Sequence, residues 1–157
     1  MDKVSKINNF SELAAALDRY VIEDIKPDHN EMIDLVNTFW KLHEKLGKEI
    51  NKLTNIDLGE VVYMGKACDA IEIEIEKELY CVKVFQNFDL PETEHPRLDV
   101  AFPKLLELAY CQQQIVNSVK EQINILNKAG LGGNSNSGCL SVIVLAIIVT
   151  SLTAIFM

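Results

Sequence analysis

The chain has 157 residues, 15 basic and 23 acidic, with a formal net charge of −8. That is enough for one modest core, and the acidic balance lacks the basic footprint that DNA or RNA binding needs. Every charged residue lies within residues 2–128 and no Lys/Arg cluster flanks the uncharged remainder, which also argues against a face held on anionic lipid.

Met1 to Lys6 run into Asn8-Asn9 without the apolar stretch of a signal peptide, so the N-terminus is expected to stay in the cytosol. Asn9, with Glu12 three residues on, reads as a helix cap, and Leu13, Leu17, Tyr20, Val21 and Ile25 follow at steps of three and four until Pro27 closes the element. Asp28 and Glu31 form the same signature ahead of a second helix. There Met32, Val36, Phe39, His43, Leu46, Ile50 and Leu53 make a coiled-coil-like seam, and Leu35, Trp40 and Leu42 widen it to a bundle face. The breadth around Phe39, Trp40, Leu42 and Leu46 is a candidate groove for a partner helix, with core packing as the simpler use. His43 in that seam reads as a histidine hydrogen-bonded inside the bundle or, more sharply, as a pH-sensitive contact.

The third element admits two readings. Ile71 to Glu76 alternate as a half-buried strand would, yet Met64, Cys68, Ile71, Ile75, Leu79, Val82 and Phe85 also keep helical spacing. A lone strand would leave its edges unpaired, so a helix over 60–85 is expected, with Glu72, Glu74, Glu76 and Glu78 as a solvated face. Residues 86–100, with Pro91 and Pro96, read as a loop. A last soluble helix is expected from about Phe102, with Pro103 in its first turn and Leu105, Leu108, Ile115, Val119, Ile123 and Leu126 as its stripe, ending at Lys128-Ala129-Gly130. The bundle should bury Leu17, Val36, Phe39, Leu46, Ile75, Val82, Leu108 and Val119.

Residues 130–138 are Gly, Ser and Asn around one Leu, a flexible spacer averaging about 15 to 18 Å end to end. Beyond it, residues 139–157 hold no charge, Pro or Gly. Leu140, Val142, Ile143, Val144, Leu145, Ile147, Ile148 and Val149 dominate a run that as a helix is roughly 28 Å long, close to a bilayer's hydrocarbon core. The expectation is a single span of the tail-anchored type. Cys139 at its start is a candidate for S-palmitoylation, and Ala146, Thr150 and Ala154, four residues apart, are a candidate transmembrane dimer face. The scarcity of basic residues beside the span favours the endoplasmic reticulum and downstream membranes over the mitochondrial surface.

Cys68, Cys81, Cys111 and Cys139 form no CxxC pair and share no metal-ligand spacing with His29, His43 or His95. No phosphate loop or serine-nucleophile motif is present, so no catalysis, cofactor or metal is expected. Gln112, between Leu108 and Ile115 on a helix followed by a linker and an apolar run, resembles the central polar layer of the membrane-fusion SNARE proteins. That resemblance covers about 25 residues and implies that residues 102–128 join a four-helix complex with other chains. The Asn-Trp-Gly-Arg motif of the apoptosis-regulating bundle family is absent. The sequence therefore leads to an all-α protein: an antiparallel bundle of about four helices over 1–129, the linker 130–138 and the anchor 139–157. Its expected role is a protein-protein adaptor or tether on an intracellular membrane, with the bilayer, a protein bound through a helix face and a second copy as partners, and with a fusion component as the alternative.

Overall fold

The computed structural model describes residues 7–53 and 61–129. They form four helices, α1 (Phe10–Ile22), α2 (His29–Leu53), α3 (Val61–Phe85) and α4 (Leu98–Lys128), and no strand occurs among the described residues. None of these helices is long and apolar enough to cross a membrane. The anchor residues 139–157, the lipidation candidate Cys139, the dimer face Ala146, Thr150 and Ala154, and the spacer 130–138 all lie outside the described residues.

Both cap signatures act as their residues require. The Asn9 side chain accepts from the Glu12 backbone N–H at 2.8 Å, and the Glu12 carboxylate accepts in return from the backbone N–H of Asn8 at 2.7 Å. At α2 the exchange is reciprocal: Glu31 N–H donates to Asp28 at 2.8 Å and Asp28 N–H to Glu31 at 3.2 Å. These bonds satisfy N–H groups that the first turn leaves orphaned. The end of α1 differs from expectation. Asp24 adopts φ 50°, so that Ile25 N–H reaches back to Tyr20 O at 3.1 Å and Asp24 N–H to Val21 O at 3.4 Å. A left-handed residue therefore ends the helix three positions before Pro27, and both Val21, still within α1, and Ile25, beyond it, are half-exposed instead of on the buried stripe.

α3 packs against all three other helices. Phe39 meets Phe85 and His43 meets Glu78, so α2 and α3 run antiparallel; Asp69 and Glu72 meet Lys120 while Glu72 also meets Gln113, so α4 returns along α3. The strand alternative for 71–76 is thus replaced by a helix whose Cys68, Ile71, Ile75, Val82 and Phe85 are buried as the three-four spacing required.

The acidic run on α3 is not one solvated face. Glu72 accepts from Lys120 at 2.6 Å and Gln113 at 2.7 Å on α4; Glu74 accepts from the Phe10 backbone N–H at 2.8 Å, capping α1; and Glu78 is buried against α2. Among the four, Glu76 alone is simply exposed. Alternation in sequence turns each successive glutamate by about 200° around a helix, so the run serves several neighbours at once.

α4 begins at Leu98, four residues before the expected start, which places Pro103 inside the helix and not in its first turn. Pro103 is exposed there, so the carbonyl it leaves without a helical partner can bond water. The stripe is also rotated: Leu98, Leu105, Ala109, Gln112, Val116, Val119 and Ile123 are buried, whereas Leu108, expected inside, is 41% exposed. The other seven residues expected in the core are buried. Gly47 sits within α2 with no atom within 4 Å of where a Cβ would stand. Gly47→Ala should therefore raise the unfolding free energy by about 1 kcal/mol, read as a higher urea midpoint at unchanged slope.

Candidate functional site

The groups with chemical potential collect where α2 crosses α3. α2 contributes Phe39, Trp40 and His43 on consecutive turns; α3 contributes Glu78 and Phe85; the α3–α4 loop contributes His95. His43 Nδ1 and Glu78 Oε1 lie 2.5 Å apart, with the two side chains 18% and 3% exposed. His43 stacks parallel to Phe39 at 6.3 Å between ring centroids and meets Trp40 edge-on at 5.5 Å, while Trp40 in turn stacks on His95 at 6.0 Å. Glu78 thus has an imidazole partner in otherwise apolar surroundings, the condition under which a carboxylate is tolerated inside a fold. The indole Nε1 of Trp40 is buried with no hydrogen-bond partner among the described residues, and so is Oε1 of Gln112.

His43 is accordingly a hydrogen-bonded core histidine, as one sequence reading held. Its carboxylate partner was missed, although a signal existed: Ile71, Ile75, Glu78, Val82 and Phe85 step by four and three, so Glu78 occupies a seam position. The proposed partner face does not present itself, because Phe39, Trp40, Leu42 and Leu46 are all at most 9% exposed. They are occupied in joining α2 to the remaining helices.

A second polar centre ties α3 to α4. Lys120 reaches Asp69 at 2.8 Å and Glu72 at 2.6 Å, and its ammonium is raised above its ordinary value by hydrogen bonds to Asp69 and then Glu72. The hydrogen bonds from Lys120 and Gln113 hold the Glu72 carboxyl below the usual 4.5. The stability contributed by this depressed carboxyl is fully present above that ordinary value and is lost as pH falls through the lowered one.

The thiols separate by environment. Burial, followed by the nearby Glu78 charge, pushes Cys81 up to about 12; burial also raises Cys68, whereas Cys111 is exposed on α4. Since the thiolate is the reactive form, a maleimide at neutral pH should label Cys111 in the native chain and reach Cys68 and Cys81 only in denaturant. Peptide mass spectrometry reads this directly, and rapid native labelling of Cys81 would contradict the packing of α1 on α3. No group of three or more His, Cys, Asp or Glu side chains among the described residues is placed to hold a metal ion.

No family model, curated protein or solved structure matches the chain. The reading of function therefore stands on the residues themselves. What they offer chemically is an imidazole–carboxylate couple linking α2 to α3 and a carboxylate pair holding a lysine between α3 and α4.

Proposed function

We propose that this chain is a membrane-anchored adaptor or tether of the tail-anchored type, in which residues 139–157 enter the bilayer and the helical bundle engages a protein partner. The observation that carries the reading is the uncharged, apolar run 139–157 joined by a Gly/Ser/Asn spacer to a domain holding every charge of the chain. The bundle's form supports the adaptor role. Its core joins α1 to α4 into one cluster, and its surface still exposes apolar side chains, with Leu106 46% and Tyr110 68% exposed one turn apart on α4. Two such residues on one helix face are what a partner helix would cover.

A fusion component of the SNARE kind would need 102–128 to pair with other chains. α4 already spends Leu105, Ala109, Val116, Val119 and Ile123 on its own domain, and Gln112 is buried there as well, which weighs toward the self-contained bundle.

The test is proximity labelling in cells from an N-terminal tag, run beside a version lacking residues 139–157. The expected result is a defined set of neighbours on one organelle, favoured as the endoplasmic reticulum or a membrane downstream of it, that disappears with the truncation. Unchanged neighbours at the same membrane after truncation would show that 139–157 is not the anchor.

A further inference from the structure

α2 turns a line of lysines to solvent. Lys41, Lys45, Lys48 and Lys52 are all exposed, and their spacings of four, three and four hold them within an arc of about 60° on the face opposite the core. Lys45 Nζ donates to the Asn8 backbone oxygen at 2.8 Å and Lys52 pairs with Glu49 at 2.7 Å, whereas Lys41 and Lys48 form no ion pair among the described residues. Glu44 and Glu49 flank the line on its two sides, so four positive charges face two negative ones. The helix dipole accounts for lysines in the last turn only, and Lys41 and Lys45 lie 12 and 8 residues before Leu53.

One end of the bundle has the opposite sign. The α1–α2 turn and the α3–α4 loop meet at one end of the bundle, around Lys26, Asp28, Asn87 and Asp89. Residues 23–34 and 86–99 of that end carry nine acidic and two basic side chains. Because α2 and α4 both run antiparallel to α3, their C-terminal ends share the other end, from which the chain continues to residues 130–157. The lysine line therefore begins on the side from which the spacer leaves, while the acidic turns are held away from it.

We propose that the Lys41, Lys45, Lys48 and Lys52 face of α2 lays the bundle sideways on the anionic headgroups of the bilayer that residues 139–157 enter, an inference that rests on the membrane-anchored reading above. A headgroup surface fits better than an acidic protein, because only the nine residues 130–138 separate the bundle from the apolar run, which keeps that surface at high effective concentration, where a few lysines that would bind weakly in free solution suffice. No basic cluster lies beside the span; the fold brings the basic residues from α2.

The experiment reconstitutes the full chain in vesicles of phosphatidylcholine alone or with about a third phosphatidylserine, and reads lysine acylation rates residue by residue by mass spectrometry. Rates at Lys41 and Lys48 should fall about fivefold with phosphatidylserine and recover in ~0.5 M salt, while Lys26 and Lys104 stay unchanged. In the K41E/K48E variant, Lys45 and Lys52 should acylate equally fast in both vesicles. If 139–157 is shielded from proteinase K but Lys41 and Lys48 react alike in both lipids, the docking face is refuted and the anchor stands. If 139–157 is digested from outside, the anchor fails and the docking with it. Protection that appears in phosphatidylcholine alone and grows with protein density would assign the face to a second copy and overturn the lipid assignment.

Discussion

Phe39→Ala should lower the unfolding free energy by about 3 to 5 kcal/mol, the largest loss expected from any single truncation in the bundle. Phe39 is fully buried, and its ring lies 5.5 Å from Phe10 of α1, 5.9 Å from Phe85 of α3 and 5.5 Å from Trp40 of α2, each pair meeting near edge-on. It is therefore the point at which three helices touch, and such edge-to-face pairs contribute about 0.5 to 1.5 kcal/mol each beyond the area they bury. The hole left by alanine cannot close by shifting one helix, since moving α1 inward would pull Phe10 N–H from Glu74 and moving α3 would part Glu78 from His43. In a domain of this size the loss corresponds to a melting point lower by about 10 to 20 °C. Urea unfolding of the full chain measures it, with Tyr110→Ala, at an exposed position, as a control expected within about 0.5 kcal/mol of the parent. A Phe39→Ala cost below about 1.5 kcal/mol would mean that the three helices are not packed through this ring.

The parts of this fold that were legible in the sequence are those fixed by local chemistry. Asn9 and Asp28 each face a glutamate three residues on, and that spacing alone specifies the cap bonds observed. The helical choice for 71–76 followed from a negative, the lack of any strand to pair with, and the long three-four register decided it. Where tertiary contact decides, the sequence misled. α4 starts at Leu98 because Leu98, 2% exposed, is drawn into the core, a gain that the Pro103 rule does not register. Its stripe is rotated because small Ala109 and polar Gln112 occupy the contact line with α2 and α3, so a reading that weights large apolar residues places Leu108 inside. The candidate site was half visible: His43 stood out as a titratable seam residue, but Glu78 was hidden in an alternating run whose members looked equivalent until a helix axis assigned each a different neighbour.

His43→Ala should cost about 3 kcal/mol, and the size of that loss lies mainly in what is left behind. The Glu78 side chain is 3% exposed, so without the imidazole its carboxyl has no partner at 2.5 Å and little access to water. Glu78→Leu should cost less, because the His43 side chain, 18% exposed, can turn a ring nitrogen toward solvent while the leucine keeps the volume filled against α2. The double variant His43→Leu/Glu78→Leu should recover to within about 1 kcal/mol of the parent or exceed it, since a well-packed apolar pair replaces a desolvated polar one. With His43→Leu added as a single variant, the parent, His43→Leu, Glu78→Leu and the double variant form a double-mutant cycle, and the comparison separates the pair from the ring contacts that His43 also makes with Phe39 and Trp40, which both His43→Leu chains disturb. A coupling energy of about 2 kcal/mol is the expected result from urea unfolding. Additive single losses would reduce the pair to two independent side chains, and α2 would then be held to α3 by its apolar seam alone.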